Sequence, residues 1–470
     1  MVDKTTDILA IDSVAPNEVS ELDLYQKREK IYTRKIQGTF QRLRLFTGWP
    51  LLIGYFCLPW INLGSRQSVL FDLPERKFYV LNLTFWPQDF IMLAFLLMIA
   101  AFALFTVTAF AGRVWCGYTC PQTVWTAIFM WIEQRFEGSR NQRIKLDKAP
   151  MSFGKFRKKL LKHAGWVLVA FWTGFTFVGY FTPIRTLLPE FFALEASHYA
   201  FIWIAIFTVG TYLNAGYMRE QVCIYMCPYA RFQSAMFDRD TLIVSYDPIR
   251  GEPRGSRKRD LPVDDSLGDC IDCQLCVQVC PTGIDIRDGL QYKCIGCALC
   301  IDACNSIMNK MGYSPGLISY TSENTLEGKP TRVFRPRLVG YVLVLSIMIA
   351  VFTATLLTRD PLELTILRER NQLYIPAPGG LIDNVYRIHL SNLDNEERFF
   401  QINIGGIDGA QLIGNPQIGI AGSELREITL RVRANPIDLM APSTTIWFTA
   451  IRVDDPSIST THESRFIKPL

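Results

Sequence analysis

The sequence has few histidines, and its last third has no cysteine. Histidine occurs four times in 470 residues, as His163, His198, His389 and His462. Only His163 and His198 lie near long apolar runs, and the pattern of basic residues predicts that these two lie on opposite sides of a membrane. A haem held by two histidines inside a helical bundle is therefore not expected.

The thirteen cysteines end at Cys304 and occur in closely spaced clusters. Dispersed cysteine pairs suggest disulfides in an exported protein, whereas tight clusters favour metal ligation in a reducing compartment. The N-terminal stretch MVDKTTDILAIDSVAPNEVS is polar and acidic, so a cleaved secretory signal peptide is not expected. The net charge of +5 is too small to indicate nucleic-acid binding.

Five apolar stretches are long enough to cross a lipid bilayer, which takes about 20 helical residues. They lie near 46–62, 89–110, 164–182, 198–217 and 337–357. The arm before the first stretch, the loop 111–163 and the segment 218–336 are rich in lysine and arginine, which places them in the cytoplasm. The sequence thus predicts a five-helix transmembrane bundle with residues 358–470 outside.

Two identical cysteine spacings predict an α+β domain of the bacterial two-cluster ferredoxin type. CIDCQLCVQVC begins at Cys270 and CIGCALCIDAC begins at Cys294, and both read C-x-x-C-x-x-C-x-x-x-C. In such ferredoxins the last cysteine of each run ligates the other cluster. Zinc is less favoured, because its structural sites usually combine two separate cysteine pairs. The predicted ligands of two [4Fe–4S] clusters are Cys270, Cys273, Cys276 and Cys304 for the first, and Cys294, Cys297, Cys300 and Cys280 for the second.

A second thiol pattern, C-x-Y-x-C-P, follows two of the apolar stretches, at residues 116–121 and 223–228. Residues i and i+4 share one helix face, so each motif is expected to present two thiols on the same side before proline redirects the chain. Thiolates select Cu(I), zinc or iron–sulfur clusters, and a reversible disulfide is a further alternative. If the two helical hairpins pack side by side, four thiols converge at the cytoplasmic end of the bundle, namely Cys116, Cys120, Cys223 and Cys227.

The loop after the first motif has apolar residues at helical spacing over 123–138, followed by basic residues. This pattern predicts an amphipathic helix that lies on the membrane surface or packs against the ferredoxin domain. The single cysteine of the first apolar stretch, Cys57, is interpreted as a packing residue.

Residues 358–470 alternate apolar and polar positions in several short segments separated by turns. The pattern predicts a small antiparallel β-sandwich. It contains no constellation of catalytic side chains, so we expect a binding or docking role.

These parts together resemble the cytochrome c oxidase accessory protein family CcoG, also called FixG or RdxA. The resemblance covers nearly the whole chain and includes WCGYTCP, CIYMCP, the paired cysteine runs, a fifth span and a C-terminal domain that is immunoglobulin-like in the family. One departure is that Cys304 is followed by Asn305, whereas Cys280 is followed by Pro281. The predicted units are a cytoplasmic arm (1–45), a four-helix membrane bundle (46–217), a cytoplasmic ferredoxin-like domain (218–336), a fifth span (337–357) and a periplasmic immunoglobulin-like sandwich (358–470).

The resemblance implies a cupric reductase of the bacterial inner membrane, which converts Cu(II) to Cu(I) for assembly of cbb3-type oxidases. It makes Cys116, Cys120, Cys223 and Cys227 the candidate copper-handling thiols, with copper as substrate or transient ligand. The implied partners are a cytoplasmic electron donor, a copper transporter or chaperone, and oxidase assembly factors. Self-association is a further option.

Two alternatives remain open. One is a membrane quinol dehydrogenase similar to NapH-type proteins, which also combine four spans, paired C-x-x-x-C-P motifs and a ferredoxin domain. The other is a non-catalytic scaffold for oxidase assembly, in which the clusters are structural or sensory.

Overall fold

The computed structural model describes residues 30–64, 66–257, 266–359, 361–369, 372–394, 396–439 and 441–469. Most of the predicted N-terminal arm, residues 1–29, lies outside the described residues. The described part of the chain consists of a helical part, a cysteine-rich part, a long apolar helix and a β-sandwich, in that order.

Helices dominate the region before residue 240. The longest helices are joined by short strands and by short helices. The elements are α1 (Thr39–Cys57), β1 (Asn62–Leu63), β2 (Arg66–Gln67), β3 (Val69–Asp72), β4 (Lys77–Val80), β5 (Leu83–Phe85), α2 (Phe90–Ala111), α3 (Val114–Tyr118), α4 (Pro121–Glu137), α5 (Arg140–Lys148), α6 (Phe153–Val178), α7 (Ile184–Phe192), α8 (His198–Thr211), two π-helical segments (Tyr212–Met218 and Val222–Met226) and α9 (Pro228–Met236).

Three helices among the described residues are long and apolar enough to cross a membrane. They are Phe90–Ala111, His198–Met218 and Pro336–Leu357, with mean hydropathies of 2.8, 1.3 and 2.3. These correspond to the second, fourth and fifth predicted spans, and they support a membrane protein.

The helices at the first and third predicted spans are not apolar enough to be candidate membrane spans on the same basis of length and hydropathy. Their helices are present, but α1 contains Arg42 and Arg44 near its start, and α6 begins with the basic segment KFRKKLLK. The predicted spans 46–62 and 164–182 begin after these charged first turns, because the apolar residues lie only in the later part of each helix. The helices that form extend beyond the apolar windows, so hydropathy alone supports three spans.

The cysteine-rich part is built on a small antiparallel strand pair. Its elements are β6 (Ile243–Tyr246), α10 (Pro248–Gly251), α11 (Leu275–Val279), α12 (Leu299–Met311), β7 (Ile318–Thr321) and α13 (Glu323–Leu326). Strand β6 pairs with β7, with Ile243 opposite Thr321. Each cysteine run bends in the same way, since Gln274 before α11 and Ala298 before α12 both adopt a left-handed conformation.

The C-terminal part is a two-sheet β-sandwich, as predicted, and follows the helix α14 (Pro336–Leu357). One sheet has the order β12–β14–β10–β8 with β9 beside β10, and the other has the order β13–β11–β15–β16. Aromatic side chains from both sheets, including Tyr386, Phe400, Phe448 and Phe466, form its buried core. The strands are β8 (Leu362–Arg368), β9 (Ile375–Pro376), β10 (Ile382–Asn392), β11 (Arg398–Gly405), β12 (Gln411–Ile413), β13 (Gln417–Ile420), β14 (Glu424–Ala434), β15 (Ser443–Arg452) and β16 (Ser459–Ile467).

Helices α2 and α14 pack against each other and place the two non-membrane parts at opposite ends. At one end, Arg335 lies before α14 and donates to the carbonyl of Ala109 near the end of α2. At the other end, the Arg359 guanidinium donates to the Asp89 carboxylate, and the hydroxyls of Thr84 and Ser423 are 2.9 Å apart. The cysteine-rich part therefore lies at the end of the helices opposite to the β-sandwich.

Candidate iron–sulfur and thiol sites

The cysteines of the two runs form two adjoining sets of four. The Cys304 thiol is close enough to Cys276, Cys270 and Cys273 to interact with them electrostatically. In the other set, Cys280 interacts in the same way with Cys294, Cys297 and Cys300. The last cysteine of each run thus lies beside the first three cysteines of the other run, in the same two sets that the sequence predicts.

The residues around these sets suit an iron–sulfur cluster. A cavity is lined by Cys280, Cys294, Cys297 and Cys300 of the second set, by Cys276 of the first, and by apolar residues. Burial raises the pKa of the Cys276 thiol to about 11 and the pKa values of Cys294 and Cys304 to about 12. Iron must therefore displace protons when these thiols become ligands.

A single zinc ion does not explain the two sets. Within the described ranges, no group of three or more His, Cys, Asp or Glu side chains is positioned to hold one metal ion. In an iron–sulfur cluster each thiolate binds a different iron atom, so the four sulfur atoms do not meet at one point. Two sets of four neighbouring thiols that do not converge on a point fit clusters better than zinc.

The four thiols of the C-x-Y-x-C-P motifs also come together. Cys223 interacts electrostatically with Cys120, Cys116 and Cys227, and Cys116 interacts with Cys120 and Cys227. We call these four residues the membrane-edge thiols, because they follow the ends of two apolar helices. The side-by-side packing of the two hairpins therefore gathers residues that are more than 100 positions apart in sequence.

The geometry inside each motif differs from the predicted shared helix face. Cys116 lies in the short helix α3, whereas Cys120 is the N-cap of α4 and precedes Pro121 at the first helical position. The second motif repeats this arrangement, with Cys223 in a π-helical segment and Cys227 as the N-cap of α9. Proline ends one helix and begins the next, so the i and i+4 rule for a continuous helix does not apply.

Burial is the main influence on the pKa values of three membrane-edge thiols, Cys116, Cys120 and Cys223, and it raises all three. It raises the pKa of Cys116 to about 11, against a lowering effect of the hydrogen bond with Gln233. Burial and the neighbouring thiols Cys120 and Cys116 raise the pKa of Cys223 to about 12. Cys116 and Cys223 are therefore protonated at neutral pH, and a soft metal ion must release their protons to bind them.

The first thiol motif is docked against the ligand loop of the second cysteine set. A Cβ atom added to Gly117 would lie 2.8 Å from the Cα of Cys297, so only glycine allows this approach without a shift. The Arg113 guanidinium donates to the carbonyls of Cys294 and Ala230, at 3.0 Å each, and ties the loop to α9 as well. The first thiol motif and the second cysteine set therefore adjoin each other through the close approach of their backbones.

A buried ion network behind the thiols was not predicted from the sequence. The Glu133 carboxylate lies 2.8 Å from Arg219, 3.3 Å from Arg143 and 3.4 Å from Lys30. One helical turn on, Glu137 lies 2.9 Å from Lys159 and 3.1 Å from Lys162. Burial opposes ionisation of Glu133, but Arg219, Lys30 and Arg143 outweigh it and lower its pKa to about 2.

The predicted amphipathic helix forms as α4, but its main contacts differ from both predicted positions, the membrane surface and the ferredoxin domain. Helix α4 packs against α6, and Phe129 and Ile132 are buried there with Trp166. The helix therefore packs mainly within the helical part. The signal in the sequence was the pair of glutamates at i and i+4 followed by basic segments, but that pattern also fits a solvated helix face.

Family models describe three parts of the chain. A 4Fe-4S dicluster domain matches residues 218–323, and a 4Fe-4S binding domain matches residues 93–138. The IG-like fold at the C-terminus of FixG matches residues 352–469. The match over residues 93–138 includes Cys116 and Cys120, so iron–sulfur ligation stays an alternative for the membrane-edge thiols.

Similar proteins cover most of the chain. The nitrogen fixation protein FixG of Rhizobium meliloti is 40% identical over 88% of this chain and 86% of its own length. Protein RdxB of Cereibacter sphaeroides is 42% identical over 81% of this chain and 83% of its own, and RdxA of the same organism is 38% identical over 92% of each. A solved FixG-related protein from Vibrio parahaemolyticus is 26% identical, with a TM-score of 0.22, and covers 24% of this chain and 100% of its own.

The predicted family is thus confirmed by relatives along nearly the full length and by the models for its iron–sulfur and C-terminal parts. With two sets of four cysteines, apolar helices and an immunoglobulin-like domain, the chain belongs to the FixG/RdxA family of iron–sulfur proteins.

Proposed function

We propose that this chain is a membrane-bound electron-transfer protein that reduces Cu(II) to Cu(I) for assembly of the copper centre of cbb3-type cytochrome c oxidases. The observation that carries the proposal is the gathering of four soft thiols directly against the iron–sulfur part of the chain. Thiolates favour Cu(I) over Cu(II), so binding at the membrane-edge thiols would also favour the reduction.

In this proposal the eight cysteines of the two runs hold two [4Fe–4S] clusters, which supply electrons one at a time when bound. Each Cu(II) ion takes up one electron and becomes Cu(I). The chain contributes two things of its own. It holds Cys116, Cys120, Cys223 and Cys227 near one another, and it fixes the first motif against the loop of Cys294–Cys300 through Gly117 and Arg113.

The electron donor is proposed to dock near the first cysteine set. Cys273 of that set is exposed, whereas Cys270 and Cys276 are buried. The second set is covered by the first thiol motif through Gly117 and Cys116. An external donor would therefore reach the first set more easily than the second.

We also propose the bacterial inner membrane as the location, with five spans near 46–62, 89–110, 164–182, 198–217 and 337–357. The cysteine-rich part would lie in the cytoplasm and the sandwich in the periplasm, because basic residues concentrate on the cysteine-rich side. The contacts at Arg335 and Arg359 support two separate ends. A copper transporter or chaperone would then receive Cu(I).

The test is a stoichiometric titration without oxygen. The purified protein with both clusters bound is reduced, freed of excess reductant and mixed with Cu(II), while cluster absorbance and a Cu(I)-specific chelator are followed. We expect two Cu(I) ions per protein, one for each electron lost. No Cu(I), together with rapid reduction of the oxidised protein by a quinol, would replace this proposal with a quinol dehydrogenase. No reaction with either would favour the scaffold.

A further inference from the structure

We propose that Arg113 is the counter-charge of the second cysteine set, and that it makes a cluster held by Cys280, Cys294, Cys297 and Cys300 easier to reduce. This inference rests on the clusters of the proposed function, but it does not depend on copper as the electron acceptor. It gives Arg113 a part in electron transfer in addition to its part in tying the ligand loop to α9.

Arg113 is a buried cation in contact with the backbone of the second set. The residue is 9% exposed and lies between α2 and α3. Its guanidinium donates to the carbonyls of Cys294 and Ala230, at 3.0 Å each, and to the carbonyl of Tyr292. The Tyr292 ring centre lies 5.0 Å from the guanidinium carbon. Since Cys294 supplies both a bonded carbonyl and a thiol of the set, the positive charge lies close to a predicted cluster ligand.

No neighbouring carboxylate balances this charge. Within the described ranges the guanidinium of Arg113 forms no ion pair, and its Nε–H is buried without a hydrogen-bond partner. Asp302 of the second cysteine run accepts from the backbone N–H groups of Phe40 and Gln41 instead. A buried charge without a partner is strongly unfavourable, so a negative group is expected beside it. Four thiolates around an iron–sulfur core carry net negative charge, and a cluster in the second set would supply that group.

The first set also has a buried arginine, but there the charge is offset. The Arg287 side chain is 6% exposed, and its Nε lies 2.8 Å from one carboxylate oxygen of Asp285. One terminal nitrogen lies 2.6 Å from the other oxygen of Asp285, and the second lies 2.5 Å from the Asp272 carboxylate. Two carboxylates therefore offset the cation beside the first set, whereas Arg113 faces the second set without one.

Solvent exposure explains why the second set needs such a charge. Cys273 of the first set is exposed, and no cysteine of the second set is. Each electron adds one negative charge to a cluster, and a buried site resists added negative charge more than a site near water does. Arg113 supplies at the second set a stabilisation that water supplies at the first.

The charge of Arg113 therefore affects where an electron goes. An electron that reaches the first set from the cytoplasmic donor moves on only if the second set is not much harder to reduce. At the effective dielectric constant typical of proteins, a unit charge about 10 Å away changes a one-electron equilibrium by about tenfold. The second set adjoins the first thiol motif through Gly117, so Arg113 favours movement of the electron toward the thiols.

Two substitutions separate the charge of Arg113 from its hydrogen bonds. Arg113→Gln removes the charge and keeps a side chain that donates hydrogen bonds. Arg113→Lys keeps the charge but loses the planar group that donates to several carbonyls at once. Arg42→Gln, which changes an exposed arginine of α1, is the matched control.

The experiment is a redox titration of the full-length protein with both clusters bound, followed by electron paramagnetic resonance without oxygen or copper. The signal of the second set is identified as the one that Cys294→Ser alters. We expect Arg113→Gln to make this cluster about tenfold harder to reduce, which lowers its midpoint potential by about 59 mV for one electron. The signal of the first set should keep its potential, and Arg113→Lys and Arg42→Gln should leave both potentials close to those of wild type. Iron content is measured for every variant, and the potential is determined on the clusters that remain.

Several results would overturn the inference. One is an unchanged potential of the second set in Arg113→Gln. Another is an equal shift in Arg113→Gln and Arg113→Lys, because it would come from the lost hydrogen bonds. Loss of the second cluster from both variants would likewise leave Arg113 as a tether alone, whereas loss from Arg113→Gln with a normal Arg113→Lys would support the role of the charge. A wild-type protein that holds no clusters would remove the proposed function itself, and the titration with Cu(II) tests copper separately.

Discussion

At the residue scale, the Cys–Pro pairs at 120–121 and 227–228 determine where a helix begins and where a thiol lies relative to it. Proline at the first helical position needs no hydrogen-bond acceptor, and the cysteine before it becomes the cap of the helix. The sequence alone identified all four membrane-edge thiols and predicted that they come together. It failed on the geometry within each motif, because the break between α3 and α4 separates Cys116 from Cys120.

The crossed sets of ferredoxin-type cysteines give a residue-scale prediction. If the sets act as ligands, Cys280→Ser should disturb the same cluster as Cys294→Ser, although Cys280 belongs to the first run in sequence. Cys304→Ser should likewise disturb the same cluster as Cys273→Ser. Electron paramagnetic resonance of the reduced protein, together with iron content, distinguishes the clusters.

The result that would contradict the crossed sets is also specific. If Cys280→Ser changed the signal that Cys273→Ser changes, each run would hold its own cluster. The proximity of Cys304 to Cys270 and Cys276 would then need another explanation.

At the element scale, helix α4 is fixed by ion pairs between its glutamates and basic residues of other elements, which the sequence of α4 alone does not predict. Glu133 and Glu137 look like the polar face of an amphipathic helix, but α5, α6 and the chain around Lys30 bury them. Burial of a charge depends on which elements pack together, and hydrophobic periodicity carries no information about that. The helix itself was predictable, and its buried partners were not.

Removal of the Glu133 charge should destabilise the helical part. Glu133→Gln leaves Arg143 and Arg219 buried without their carboxylate, which typically costs about 3–5 kcal/mol. We expect a clearly lower thermal midpoint, measured by tryptophan fluorescence in detergent. Glu190→Gln, at an exposed position of α7, is the matched control and should leave the midpoint unchanged.

The same carboxylate predicts a pH dependence. The pKa of Glu133 is lowered to about 2 in the folded protein. The pKa of a glutamate in an unfolded chain is about 4.3. A lowered pKa contributes stability above the unfolded value, and that contribution is lost as pH falls through the window between the two values. Wild type should lose this contribution in that window, whereas Glu133→Gln, which already lacks it, should show a smaller loss. Parallel pH curves would contradict the assignment.

The contact between α3 and the second cysteine set gives another element-scale prediction. Gly117→Ala places a methyl group against the Cys297 backbone, so one of the two elements must move. Overpacking of this kind typically costs about 1–3 kcal/mol. We expect a lower thermal midpoint and less bound iron, whereas Gly340→Ala in α14, which has open space, should change neither. Normal values for Gly117→Ala would mean that the contact is loose.

At the scale of the whole molecule, the sequence predicts the order of the helical, cysteine-rich and sandwich parts. It predicts the number of membrane spans less well, since hydropathy supports three of the five predicted spans. The cysteine runs, the β-sandwich and the long apolar helices each leave a local signal in the sequence, namely cysteine spacing, alternation and hydropathy. Helices α1 and α6 combine charged first turns with apolar later turns. Length and composition alone do not assign such helices to a membrane.

The proposed topology predicts where a reporter is active. An alkaline phosphatase, which folds only in the periplasm, should be active when fused after the sandwich and inactive when fused after Thr321 in β7. The reason is that an odd number of spans separates the cytoplasmic arm from the sandwich. An inactive C-terminal fusion with normal expression would contradict five spans.

The central claim is that electrons from the iron–sulfur part reach Cu(II) at the membrane-edge thiols. The most direct measurement is the rate at which Cu(II) oxidises the reduced clusters, compared between wild type, Cys116→Ser with Cys120→Ser, and Cys57→Ser. Our account predicts fast oxidation with matching Cu(I) in wild type and Cys57→Ser, and strongly slowed oxidation in the double variant with its iron intact. Equally fast oxidation in the double variant would show that copper takes electrons without these thiols and would contradict the account.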